Sequence, residues 1–197
     1  ACGSHGLRAK LPCVYEEVMG VPLIMKVPGV TQAGTETDAL ATHVDLATTL
    51  CALGGVDIDD APTLSGVDLS PALADPSASP RDYVFFSQDA AQSDLIANTR
   101  YAVRGFFDGE TKYARYYGIG GGVDRAGNVD ERPKLFGEEA AFEDHDHEWY
   151  EPANDPHELI NLANDVGRKG ELREHFNRLL EIELAELGDK AGHQGPS

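Results

Sequence analysis

The chain has 197 residues, 41% of them hydrophobic and 25% charged, with 34 acidic against 16 basic side chains and a formal net charge of −18 at pH 7. That length and apolar fraction suit one domain's worth of packed chain and exclude a disordered acidic tail or a fibre. The acid excess argues against nucleic acid or an anionic membrane as partner, since both call for a basic face, and it reads as a solvated surface or as adaptation to salt.

No apolar run reaches the roughly 18 to 20 residues of a membrane-spanning helix; the longest, residues 18–27, is broken by Gly20, Pro22 and Lys26. Three cysteines, Cys2, Cys13 and Cys51, show neither a CxxC nor a Cys/His zinc spacing, so no disulfide framework or zinc site is expected. Opening on Ala1 rather than Met, the chain reads as a piece of something longer.

In chain order, the pattern predicts a helical turn within residues 12–20, then a strand over 21–27 whose continuous apolar character suits burial on both faces of an α/β sheet. A polar connector at 31–37 and a short strand at 39–42 precede a helix over 44–53, with Val44, Ala47, Leu50, Cys51 and Leu53 on one stripe and Gly54-Gly55 at its end. Residues 57–62 read as an acidic loop, Ser70-Pro71 as the N-cap and first position of a short helix through Ala74, and 75–80 as a boundary. Beyond it, residues 83–87, 101–104 and 112–117 are short aromatic or β-branched runs separated by turn residues such as Asp108-Gly109, as in an antiparallel meander. Residues 118–142 read as a long loop and 148–151 as a fourth strand. Within 166–187, Leu172, Phe176, Leu179, Leu180, Leu184 and Leu187 share one face of an amphipathic helix, expected to lie on the small sheet. Residues 191–197 read as a frayed tail.

Chemistry has few candidate carriers. His5 and Lys10 stand five residues apart with glycines on both sides of the histidine; an ammonium there can hold an oxyanion and an imidazole can donate a proton to a leaving oxygen, or both can belong to a solvated loop. The densest ionisable cluster, residues 143–148, places His145 and His147 on one strand face, where weak zinc or nickel binding is expected. His43 opens a helix and reads as a cap, Asn154-Asp155-Pro156 as turn chemistry, and Tyr113, Tyr116 and Tyr117 as sheet packing.

The ordered run His5-Gly6-Leu7-Arg8-Ala9-Lys10, Tyr15-Glu16-Glu17, Val21-Pro22-Leu23-Ile24, Pro28-Gly29, then Thr42-His43-Val44-Asp45-Leu46-Ala47-Thr48-Thr49-Leu50 resembles the C-terminal half of a sulfatase catalytic domain. Leu64-Ser65-Gly66-Val67-Asp68-Leu69 continues the likeness, and residues 148–163, with Asn154-Asp155-Pro156-His157-Glu158 at their centre, are similar to the signature of the sulfatase C-terminal subdomain. The resemblance implies an alkaline-phosphatase-like fold, residues 1–78 finishing the α/β catalytic domain and 79–197 forming a four-stranded antiparallel sheet with a long C-terminal helix.

It also implies hydrolysis of sulfate esters, small molecule or glycan, by a formylglycine nucleophile beside calcium. None of the three cysteines sits in the C/S-x-P-x-R motif that yields formylglycine. That nucleophile and the calcium ligands are therefore expected upstream of Ala1, with no metal ligand in this chain, and the chain alone is expected to be inactive and prone to associate. The resemblance makes Lys10 the sulfate-binding lysine and His5 a neighbour that contacts substrate or shapes the loop. A phosphonate or phosphodiester hydrolase of the same superfamily would keep Lys10, and a truncated binding module is the non-catalytic alternative.

Overall fold

The computed structural model describes residues 3–7, 13–56, 64–89, 102–117 and 140–188, which form two compact units: residues 22–84, and residues 1–21 with 85–197. The second unit is built on a four-stranded sheet in the order β1-β2-β3-β4, with β1 Val84–Asp89, β2 Ala102–Phe107, β3 Lys112–Tyr117 and β4 Asp146–Tyr150. The pairings β2/β3 and β3/β4 are antiparallel, with Arg104 opposite Arg115 and Tyr113 opposite Trp149. Between β2 and β3 the chain reverses at Gly109 (φ +92°), where Asp108 Oδ1 accepts the N–H groups of Glu110 and Thr111 at 3.0 and 2.7 Å.

Alternation along β3 sends Tyr113, Arg115 and Tyr117 to one face and Lys112, Ala114 and Tyr116 to the other, and all six are buried. The first face is covered by the C-terminal helix, Lys169–Leu187, whose buried residues Leu172, Phe176, Leu179, Ile182 and Glu183 form its inner stripe. Glu183 meets Arg115 as a fork, Nε to Oε1 at 3.0 Å and Nη2 to Oε2 at 2.6 Å, with both side chains 1% exposed. Around this pair the contact is aromatic: the His175 ring lies 4.5 Å from Trp149 between centroids, and Arg168, Arg173 and Arg178 sit over the rings of Trp149, Phe142 and Phe106. The opposite face is covered by the N-terminal segment. Val14, Val103, Ala114, Tyr116 and Tyr150 make one cluster there, joined by Tyr15 and Phe86. Phe86 lies so close that a Cβ on Gly105 would meet its ring at 2.2 Å, so β2 needs glycine at that position.

The other unit is organised by one buried carboxylate. α1 is the turn Glu16–Met19 of the N-terminal segment, α2 is His43–Leu53, α3 is Ser70–Ala74, and the C-terminal helix is α4. Asp45, fully buried in the first turn of α2, accepts the Thr42 N–H at 2.8 Å, the Val67 N–H at 2.9 Å and Arg81 Nη2 at 2.6 Å. One turn later Thr49 Oγ1 donates to Asp45 O and accepts the Leu69 N–H at 2.9 Å. The backbone of Gly66 is drawn so close that a Cβ there would fall 2.1 Å from Val44 O.

Several expectations are corrected. Residues 21–27 are not a strand: Val21, Leu23 and Ile24 are exposed, Ile24 by 93%, and among the described residues no strand pairs with them. Residues 39–42 likewise lack strand pairing, and the helix in 12–20 is confined to α1. Ser70 begins α3 rather than capping it, because its hydroxyl is held by Asp68 Oδ2 at 2.6 Å. β2 runs to Phe107, β4 starts at Asp146, and a separate 3-10 turn, Val166–Arg168, precedes α4. The predicted loops at 57–62 and most of 118–142, and the tail, lie outside the described residues.

Removing one partner of the buried fork leaves a charge without compensation. Glu183→Ala is expected to cost about 3 to 5 kcal/mol, and Arg115→Met with Glu183→Leu far less, read by urea unfolding at Trp149, the single tryptophan. His147 and His175 are both held below the ordinary histidine pKa, first by burial. Since the unfolded chain then binds protons more readily, their contribution to stability is full above about pH 6.5 and is lost as pH falls below it. The His175→Phe variant is expected to lose less stability than the parent between pH 7 and pH 5 in the same measurement.

Candidate active site

The loop at residues 3–7 closes on itself through Gly3 N–H to Leu7 O at 2.8 Å and Leu7 N–H to Ser4 O at 2.9 Å. Three of its residues lie in the left-handed region, Gly3 (φ +104°), His5 (φ +51°) and Gly6 (φ +71°). The two glycines enter it freely, while His5 enters it only because its side chain is held from outside. Its imidazole stacks on the Tyr15 ring, 3.6 Å between centroids and 10° from parallel, and is 10% exposed. Nε2 of His5 lies 3.5 Å from Glu17 Oε2, and Ser4 Oγ donates to Glu17 Oε1 at 2.5 Å. That hydroxyl holds the Glu17 carboxyl below its usual range, so at neutral pH the imidazole faces an anion. The group is equipped to hold or pass a proton at Nε2.

Behind Tyr15 the site is backed by a buried polar layer on the sheet. Tyr150 lies 5.9 Å from Tyr15 between ring centroids, and Tyr116 Oη donates to Glu148 Oε2 at 2.6 Å. Burial raises the Glu148 carboxyl above its ordinary range, and it raises Tyr116 and Tyr150 as well. The neighbouring Cys13 is a free thiol, also pushed up by burial, which removes the thiolate character a nucleophile needs. Below this layer Lys112, 3% exposed, has its Nζ 2.6 Å from Glu158 Oε1 and 2.9 Å from Glu16 Oε2.

Of the residues expected to carry chemistry, His5 is held against Tyr15 and Glu17, whereas Lys10 lies outside the described residues. His145 and His147 are brought together, 6.3 Å between ring centroids, but the expected metal binding is corrected. Nε2 of His147 meets Phe142 O at 2.9 Å and must carry the proton, so Nδ1 accepts from Tyr113 Oη at 2.8 Å and no lone pair is left for a metal. Among the described residues no group of three or more His, Cys, Asp or Glu side chains could hold a metal ion, so none of them fits a calcium shell. His43 is exposed at the start of α2, where Thr42 occupies the cap position and Asp45 closes it. Tyr113, Tyr116 and Tyr117 are buried sheet residues. Tyr15, Glu17 and Glu158, which surround His5 and its support, stood inside the quoted runs without being singled out, and nothing local marks Lys112 as a buried cation.

The N-acetylglucosamine-6-O-sulfatase of Bacteroides thetaiotaomicron is 32% identical over 81 residues, a match covering 41% of this chain and 14% of that protein. Among solved structures, an enzyme captured with its substrate D-glucosamine-2-N,6-O-disulfate aligns with 92% of this chain and 31% of its own, at 19% identity and a TM-score of 0.66. A second, a Bacteroides thetaiotaomicron protein assigned to the sulfatases, aligns with 95% of this chain and 34% of its own, at 24% identity and a TM-score of 0.67. The chain thus spans about a third of the length of these solved relatives, and they share its alkaline-phosphatase-like fold with an antiparallel sheet and a long helix. The family model described as N-sulphoglucosamine sulphohydrolase, C-terminal, matches residues 3–185, and the chain belongs to that sulfatase family.

Proposed function

We propose that this chain is the C-terminal part of a sulfatase that hydrolyses sulfate esters, with sulfated amino sugars as the first substrate class to test. The observation that carries the reading is the family match that begins at the His5 loop and runs into α4. The relatives' sulfated glucosamine chemistry supports the substrate class, and the exposed apolar residues Val21, Leu23 and Ile24 suit a surface covered by another part of the protein. On this reading residues 1–78 complete the large α/β domain and 79–197 form the subdomain.

Lys10 then supplies the positive charge that meets the sulfate group and offsets the negative charge growing on it in the transition state. His5, stacked on Tyr15 and facing Glu17, offers its imidazole proton to an ester or leaving oxygen. Formylglycine and calcium belong on this reading to the part of the protein outside this chain, as the family likeness implies; no cysteine here has the motif that yields formylglycine. Without them the 197-residue chain alone does not turn over.

The test is sulfate release by the complete protein from 4-nitrophenyl sulfate and from N- and 6-O-sulfated glucosamine. Turnover is expected, with Lys10→Ala lowering kcat/KM by about 100- to 1,000-fold without a change in melting temperature. Faster hydrolysis of phosphonate or phosphate esters, or turnover by the isolated chain, would overturn the proposal.

A further inference from the structure

The His5 loop is held from the far end of the chain. Glu158, 2% exposed, sits at φ +51°, a left-handed backbone that a glutamate adopts only when its surroundings hold it there. The turn aims its carboxylate inward: Oε2 accepts the backbone N–H of Glu16 at 2.7 Å, and Oε1 lies 2.6 Å from Lys112 Nζ. Glu16 contributes its own carboxylate to Lys112 at 2.9 Å, but that side chain is 65% exposed and water competes for it. Glu158 thus lies against both the strand cation and the main chain of α1, from the buried side, while Glu16 reaches the same cation from the exposed side. The bonded N–H belongs to the first residue of α1, and the residue before it is Tyr15, whose ring carries the imidazole of His5. Tyr15 is pinned from one side by this bond to its neighbour and from the other by packing against Tyr150. A shift of α1 along the sheet would carry the Tyr15 ring out of register with His5, and the strained loop would lose the contact that holds it.

We propose that Glu158, with Lys112 as its counter-ion, is a positioning residue that fixes Tyr15 and through it the orientation of His5, without itself touching substrate. The part concerning catalysis rests on the sulfatase reading; the mechanical coupling does not. It extends the role of the Asn154-Asp155-Pro156-His157-Glu158 stretch from turn chemistry to control of the His5 loop.

Two readouts test it. In the 197-residue chain with labelled histidine, the His5 ring protons lie in the shielding cone of Tyr15, and their resonance, assigned by its loss in His5→Asn, is expected upfield of the other histidines. Glu158→Gln is expected to move that resonance back toward the unstacked position, as Tyr15→Leu does, while the tryptophan signal of the folded sheet is kept. In the complete protein, Glu158→Gln is expected to lower kcat on 4-nitrophenyl sulfate by about 10- to 100-fold, with KM changing less than about threefold.

Should Glu158→Gln fail to fold because Lys112 loses its buried partner, the double variant Glu158→Gln/Lys112→Met removes both charges and is read in the same way. A folded variant, single or double, whose His5 resonance stays in place overturns the proposal. A displaced resonance in a protein whose parent hydrolyses no sulfate ester upholds the coupling and overturns only the sulfatase reading.

Discussion

Strand β3 carries two cations, Lys112 and Arg115, three residues apart and so on opposite faces of a sheet closed to water on both sides. Each ion costs several kcal/mol to desolvate and needs a carboxylate of fixed geometry in return. On one face Glu183 meets this need and sets the register at which α4 docks; on the other Glu158 does so and draws the N-terminal segment onto the sheet. Apolar and aromatic contacts supply attraction on both faces, but they tolerate sliding. The two ion pairs do not, and they give the sheet a defined orientation between its covers.

The other unit repeats the principle with the sign reversed. There the buried charge is a carboxylate, Asp45, and its surroundings converge as donors: the cap of α2, the backbone at Val67 and the guanidinium of Arg81. Sequence words that stand apart, Thr42 to Leu50 and Leu64 to Leu69, are thereby one hydrogen-bonded cluster, and Gly66 is glycine because that cluster leaves no space for a side chain.

What was legible in the sequence is what local periodicity reports. The end of α2 at Gly54 and the strand runs of the meander with their Asp108-Gly109 reversal follow from patterns a few residues long, whereas the stripe of α4 is legible only in its first half: Leu172, Phe176 and Leu179 are buried as expected, but Leu180, Leu184 and Leu187 are exposed and Ile182 and Glu183 take the inner positions. Residues 21–27 show the limit of such patterns: an apolar run records that burial suits it, but backbone pairing requires a neighbour that the run itself cannot name. The site was half visible for the same reason. His5 could be singled out from its glycines and its family likeness, whereas its stacking on Tyr15 and the tie from Glu158 to Glu16 depend on the folded path and leave no local trace. The paired histidines misled in the other direction, because spacing placed them together and only the Tyr113 hydroxyl and Phe142 carbonyl show why a metal gains nothing there.

The tie between Glu16 and Glu158 spans 142 residues, and this sets an order of events during synthesis. Residues 13–19 leave the ribosome long before the strands they cover, so Val14 and Tyr15 wait with their apolar surfaces unpaired until β3, β4 and the turn at Glu158 have been made. Closing so long a loop is slow, and a waiting segment is open to chaperones and proteases. The delay also has a consequence for the His5 loop, whose support from Tyr15 is complete only after β4 and the turn at Glu158 have emerged, so a nascent chain interrupted earlier lacks that support.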